Sequence, residues 1–259
     1  MTLLEQHGAL CTILQRGAIS TLFQPIYATD ECRIVGYEAL SRGPSNSPLH
    51  SPTVLFAIAR QSGKLMELDM LCRRLAIQRF ADSNLTGKLF LNVLPETLLD
   101  QRHAPGRTLQ MLNNAKLPAQ RVVIELTEQS PIDDYNLLHR ALRYYRSMGF
   151  SIALDDLGAG YSGLRLWTET MPEFVKVDRH FIDGIHLDKL KQEFLGSMLS
   201  MARASGATLV AEGVELPEEL QVLKQLGAPM VQGFLLGRPR YYPLATHEEE
   251  HRVTHKSCG

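Results

Sequence analysis

The stretch SIALDDLGAGYSGL at residues 151–164 decides between two folds. Its Gly158, Gly160 and Gly163 stand in the spacing G-x-G-x-x-G, which between a strand and a helix marks a dinucleotide-binding turn. Asp178 closes the next strand candidate 20 residues after Gly158, where such a fold places a ribose-binding acid. Against this, Asp155 and Asp156 stand directly before the glycines and would meet a pyrophosphate with no cation between them. The following connection, YSGLRLWTETMPEF, has room only for a short helix broken by Pro172. The stretch therefore reads as a strand with acids at its tip. Adjacent side chains on a regular strand point to opposite faces, so both aspartates reach one site only where the strand breaks, and Gly158 and Gly160 are expected to provide that break.

Working outward, β-rich segments recur at LFQPIYA, RIVGYEAL, KLFLNVL, RVVIELTE, SIALDD, FVKVD, TLVAEGV and MVQGFLLG. The first two are joined by TDEC, short enough for an antiparallel hairpin, whereas most later ones are separated by helix-length connections. In one of these, Ser51 and Pro52 form a helix start as N-cap and first-turn residue. Eight strands alternating with helices predict an α/β fold of the (β/α)8 barrel type with an irregular first strand. No composition shift divides the chain; the polar tail at 244–259 is set apart from a domain at 1–243, with its core from about residue 20.

With 27 Lys plus Arg against 28 Asp plus Glu, no global field draws the chain to nucleic acid or an anionic membrane. Four cysteines without a C-x-x-C pair are too sparse for a disulfide scaffold, and the N-terminus does not read as a signal peptide. No run is long enough to span a bilayer, so a cytoplasmic protein is expected.

In a barrel of this kind the functional positions are the C-terminal ends of the strands. Unexpected polar residues gather there: Glu38, Asn92, Glu125, Asp155, Asp156, Lys176, Glu212 and Gln232. A lone acid after apolar residues is usually a satisfied pair. Five converging at one rim are not explained that way, because each costs several kcal/mol to desolvate unless paired or metal-bound. Their charge sums to minus five; Lys176 supplies plus one, and two divalent cations would supply the rest. The donors are all oxygens, which favours Mg²⁺ or Mn²⁺ over Zn²⁺. Two such metals are a standard device for displacement at phosphorus.

FQPI, GYEALSRGP, LFLNV, VIELTE, LDDLGAGYSGL, VKVD, VAEGVE and QGFLLGRP, in that order, resemble the EAL-domain phosphodiesterases that hydrolyse the bacterial second messenger cyclic di-GMP. The resemblance implies a modified TIM barrel with an antiparallel first strand and hydrolysis to linear 5'-pGpG. It implies one metal on Glu38, Asn92, Glu125 and Asp155, and a second on Asp155, Asp156 and Glu212. Lys176 would orient or deprotonate the attacking water, with Glu38 and Gln232 in the same shell. Gln24, Leu40, Arg42 and Gln232 would contact substrate, and Glu128 would secure the loop at 155–164, which in the family also leads to a homodimer interface. Ca²⁺ is expected to inhibit, since it prefers longer bonds and more ligands than Mg²⁺. Leu157, Ala159 and Gly163 stand where the family often has Phe, Thr and Ser; none is a ligand.

The rival from another class is an EAL fold that binds cyclic di-GMP without cleaving it. Receptors of that kind typically lose metal ligands or the EAL glutamate, and here all are present. HEEEH at 247–251 matches a zinc motif, but it sits in the polar tail and reads as a solvated charged helix. Glu215 reads equally as a site residue or as a helix-start residue or support to the site, Asp178 as paired with a nearby base, and Gly36 and Gly213 as close-packing positions.

Overall fold

The computed structural model of the chain describes residues 2–98, 106–127, 134–158 and 163–241. All eight expected strands form: β1 (Ser20–Ala28), β2 (Arg33–Arg42), β3 (Lys88–Asn92), β4 (Val122–Thr127), β5 (Ser151–Leu157), β6 (Phe174–Val177), β7 (Thr208–Ala211) and β8 (Met230–Val231). They close into one barrel in sequence order. β1 runs antiparallel to both neighbours, and every other pairing is parallel. The dinucleotide-fold alternative is thereby excluded.

Among the described residues the helices are α1 (Leu3–Arg16), α2 (Pro52–Gln61), α3 (Leu65–Asp82), α4 (Pro95–Leu98), α5 (Arg107–Asn114), α6 (Tyr135–Ser147), α7 (Gly163–Thr170), α8 (Arg179–Ile182), α9 (Lys189–Ser205) and α10 (Pro217–Leu226). α1 has no counterpart among the elements expected from the sequence. It opens on a capping box, Thr2 Oγ1 accepting from Glu5 N while the Glu5 carboxylate accepts from Thr2 N, and packs Leu10 and Ile13 onto α2 and α3. α2 does start at Ser51 and Pro52, but the Ser51 side chain makes no capping bond. None of the helices is long and apolar enough to cross a membrane.

Strand alternation builds the barrel in two stacked layers. Ile26, Phe90, Val123, Ala153, Phe174 and Val210 form an apolar plug inside the barrel, with the Phe90 and Phe174 rings edge-on at 5.3 Å. Gly36 belongs to this level; a β-carbon there would stand 2.6 Å from Lys88 O and 3.1 Å from the Phe90 ring. Two residues further along each parallel strand, the next inward position is polar: Asn92 after Phe90, Glu125 after Val123, Asp155 after Ala153, Lys176 after Phe174, Glu212 after Val210 and Gln232 after Met230. β1 runs the other way, so its matching residue, Gln24, lies two before Ile26. The intervening residues, such as Leu91, Ile124, Leu154, Val175 and Leu209, face outward into the main core under the helices.

Within the described residues the break in β5 falls on Asp156 and not on Gly158; Gly160 lies outside them. The strand continues through the aspartates to Leu157, and Asp156 itself adopts the left-handed conformation, φ 56°. The register against β6 jumps there, from Leu154 opposite Val175 to Leu157 opposite Val177. One residue in the left-handed region forms a bulge that turns two neighbouring side chains to the same side, and aspartate is among the few non-glycine residues that accept it. Gly158, at φ 102°, instead makes room for a neighbouring ring, since a β-carbon there would meet Phe181 at 2.1 Å. Gly158→Ala is expected to lower the free energy of unfolding by about 1–3 kcal/mol, from backbone strain plus displacement of Phe181, as read by urea melts. An unchanged midpoint would show that neither constraint holds.

Candidate active site

Lys176, 1% exposed, stands on the axis of the barrel mouth. Its Nζ lies 2.7 Å from Glu212 Oε1, 2.9 Å from Glu125 Oε1, 3.0 Å from Asp155 Oδ1 and 3.2 Å from Glu38 Oε2. An ammonium has three protons for these four carboxylates. Glu125 and Asp155 lie within ion-pair distance, yet both Glu125 oxygens and Asp155 Oδ1 lack an aligned hydrogen bond while buried from solvent. Glu38 is better served: Asn92 Nδ2 donates to its Oε1 at 3.1 Å and Gln232 Nε2 to its Oε2 at 2.8 Å.

The electrostatics follow from this inequality. Burial pushes the Glu38 carboxyl up, but Lys176, Gln232 and Asn92 outweigh it, and its pKa falls below the ordinary range. Burial dominates at Glu125 and Glu212, whose pKa values are driven well above it, and Asp155 is raised for the same reason. Burial works against the charged Lys176, but the surrounding carboxylates prevail and hold it protonated.

Two groups of acids bring oxygens within 4.8 Å of one another: Glu38, Glu125 and Asp155, and separately Asp155, Asp156 and Glu212. Asp155 belongs to both. Orphaned buried oxygens, a surplus of four negative charges over Lys176 and an all-oxygen donor set suit a pair of hard divalent cations.

Two clefts meet over the acids and share Glu38, Leu40, Asp155 and Asp156 in their walls. The first, of about 300 Å³, adds Gln24, Lys176, Gln232 and the mouth residues Asp178, Arg179, Glu215 and Phe234. The second, of about 430 Å³, runs under Arg42 between α2 and the β3 end and is lined by Phe56, Asn92 and Thr127, among others. Arg42 Nη1 donates to Ser41 O at 2.9 Å. Gln24 donates to Gly237 O at 3.2 Å, stitching β1 to the turn after β8.

Each expected residue within the described chain thus lies at the barrel mouth; Glu128 and the 244–259 tail lie outside the described residues. For Asp178 a paired base is expected; among the described residues its Oδ1 instead caps α8 by accepting from His180 N at 2.8 Å. Glu215 takes the pairing role, at 2.7 Å from Arg179, and the Arg179 side chain fills the place of a β-carbon at Gly213. Sequence reading missed Arg179 and Phe234 as cleft residues, and also Asp69 and Arg73 in the second cleft. Phe234 carried a signal, an aromatic two positions after Gln232 that is 41% exposed in the fold. Asp69 and Arg73 lie inside a helix and carried none.

A family model described as the EAL domain matches residues 7–239. The cyclic di-GMP phosphodiesterase NbdA of Pseudomonas aeruginosa is 30% identical over 95% of this chain and 32% of its own length. A standalone versatile EAL protein from Vibrio cholerae O395, solved in a cyclic di-GMP-bound form, is 31% identical and aligns with a TM-score of 0.79 over 90% of this chain and 97% of that one. Klebsiella pneumoniae BlrP1, solved as a calcium complex with cyclic di-GMP, is 32% identical with a TM-score of 0.79, covering 86% of this chain and 56% of that one. A manganese complex of BlrP1 with the same dinucleotide aligns with a TM-score of 0.78. The chain spans between about a fifth and about a half of the length of the curated relatives it matches.

Burial, then the neighbouring Asp155 charge, raises the Asp156 carboxyl from 3.8 to about 6. A group that binds its proton more tightly when folded contributes most below its unfolded pKa, and that contribution is lost as pH rises through its folded one. In chelator, melting temperature is expected to decline from about pH 4 to about pH 6, and Asp156→Asn to decline less across the same window. Mn²⁺, which binds ionised carboxylates, should raise the melting temperature by an increment that grows with pH. Identical profiles for wild type and Asp156→Asn in thermal scans would contradict this.

Proposed function

Since the chain belongs to the EAL domain family, we propose that it is a phosphodiesterase that opens cyclic di-GMP to linear 5'-pGpG and depends on divalent metal. The observation that carries this reading is the double acid cluster joined through Asp155, with buried oxygens that Lys176 alone does not satisfy. The receptor alternative loses support because the full set of Glu38, Asn92, Glu125, Asp155, Asp156 and Glu212 is present and gathered at one mouth.

Mg²⁺ or Mn²⁺, two per site, held by Glu38, Asn92, Glu125 and Asp155 on one side and by Asp155, Asp156 and Glu212 on the other, would supply Lewis acidity and charge neutralisation at the phosphodiester. The protein's own part is placement. The two clefts that meet over the acids suit the two halves of a dinucleotide, with the phosphate to be cut above Asp155. Arg42, in the second cleft, offers the remainder of its fork to a phosphate oxygen. Lys176 acts as a donor, since an amine held protonated among carboxylates does not remove a proton. It orients the attacking water in line with phosphorus. Asn92 and Gln232 fix the rotamer of Glu38, so that a ligand carboxylate is preorganised before substrate arrives.

Purified protein incubated with cyclic di-GMP and Mn²⁺ or Mg²⁺ is expected to yield the linear dinucleotide, and none in excess chelator; Ca²⁺ should support binding without turnover. Binding in Mn²⁺ with no cleavage would establish the receptor reading instead. Lys176→Met should still bind cyclic di-GMP in Ca²⁺ while losing about a hundredfold in single-turnover rate, the scale of a reactant left out of line. A loss of affinity equal to the loss of rate would reduce Lys176 to a counter-charge.

A further inference from the structure

Beneath the second cleft lies an ion pair that the proposed chemistry does not use. Arg73 on α3 is wholly buried, and its Nη2 is hydrogen-bonded to Asp69 Oδ2, one turn earlier and 2% exposed. The same Nη2 lies 2.8 Å from Thr97 Oγ1, and Thr97 Oγ1 lies 2.6 Å from Asp69 Oδ2. Nη1 makes longer contacts, 3.4 Å to Thr108 Oγ1 on α5 and 3.5 Å to Tyr145 Oη on α6.

Such a pair is a poor stabiliser. Desolvating both charges consumes most of what their attraction returns, and well-packed apolar residues in their place are often neutral or better. Its worth must therefore lie in geometry. Thr97 belongs to α4, a single turn that starts three residues after Asn92, and Asn92 holds Glu38. α4 is clamped again on its outer side, where Arg60 of α2 donates two bonds to Glu96, at 3.1 and 3.0 Å. Too short to hold its own orientation, α4 takes it from α2 and α3. Asp69 and Arg73 also line the second cleft together with Asn92 and Leu94.

We propose that Arg73 is a positioning residue of the second cleft: through Asp69 and Thr97 it sets α4, and with it the Asn92 end of β3 and the cleft floor beside Arg42. This rests on reading the clefts as the cyclic di-GMP site, and two separate ligands keep the two ideas apart.

The test uses the whole chain and two variants. Thr97→Val keeps the ion pair and the volume but cuts the link to α4. Asp69→Leu with Arg73→Met removes both charges together, so neither is left buried alone. Both are expected to melt within a few degrees of wild type. Thr97→Val should nonetheless weaken Mn²⁺ and cyclic di-GMP binding by about threefold or more, and the double variant by about tenfold, the scale seen when a ligand's support is removed. Calorimetry with Mn²⁺ alone and with cyclic di-GMP in Ca²⁺ reads the two affinities. If wild type fails to bind cyclic di-GMP, the functional reading falls, while the Mn²⁺ comparison still reports on Asn92. Wild-type Mn²⁺ affinity in both folded variants would overturn the proposal. So would a double variant that binds normally per folded molecule but melts far below wild type, since the pair would then be a stabiliser only.

Discussion

One ammonium held among four carboxylates is the interaction on which the barrel mouth depends. Lys176 Nζ lies within 3.2 Å of Glu38, Glu125, Asp155 and Glu212, side chains in or just past the ends of four different strands. It draws these strand ends toward one axis, yet one positive charge cannot satisfy the five acids of the mouth. Where the balance falls is visible residue by residue. Glu38, with two amide donors besides the lysine, ionises readily; Glu125, with the lysine alone and no aligned bond, resists. A site in that condition offers buried carboxylate oxygens close enough together to hold a cation.

The apolar plug below makes the arrangement possible. Phe90, Phe174 and their neighbours close the barrel beneath the acids, so water does not reach them from below and their fields are little screened. Reversal of β1 adds a second effect. It places Gln24 directly opposite Glu38 in the β1–β2 register, while β1 and β8 pair at only two positions, Tyr27 with Val231 and Ala28 with Met230. The seam above those pairs is closed by other means, Gln24 Nε2 to Gly237 O and the bridge between Phe23 and Arg240. Gln24 is therefore both a wall of the first cleft and a stitch in the barrel.

Strain and buried charge cluster around the same centre. Asp156 accepts a left-handed backbone so that two consecutive acids face one site. The Asp69–Arg73 pair accepts desolvation beneath the second cleft. Asp156 is itself one of the acids of the mouth, and Asp69 and Arg73 line the second cleft with Asn92.

Period-two alternation made the barrel and most of its mouth legible in the linear chain. Once VVIE, LFLN and FVKV are strands, a polar residue two past an inward apolar one has to stand at the rim, because a strand offers that side chain no other direction. Ordered motifs then identified the family. What the chain alone did not reveal depends on contacts between distant segments. Glycines in the linear sequence suggest the strand break, yet it falls on Asp156, because the register of β6 against β5 decides where the bulge forms. α1 is an ordinary amphipathic segment until α2 and α3 give it a surface. Asp69 and Arg73 look like any helical salt bridge at i and i+4; only the packing of α4, α5 and α6 around them turns a solvated pair into a buried one. Local pattern sets which way a side chain points, and burial, which sets its energy, is a property of what the rest of the chain brings against it.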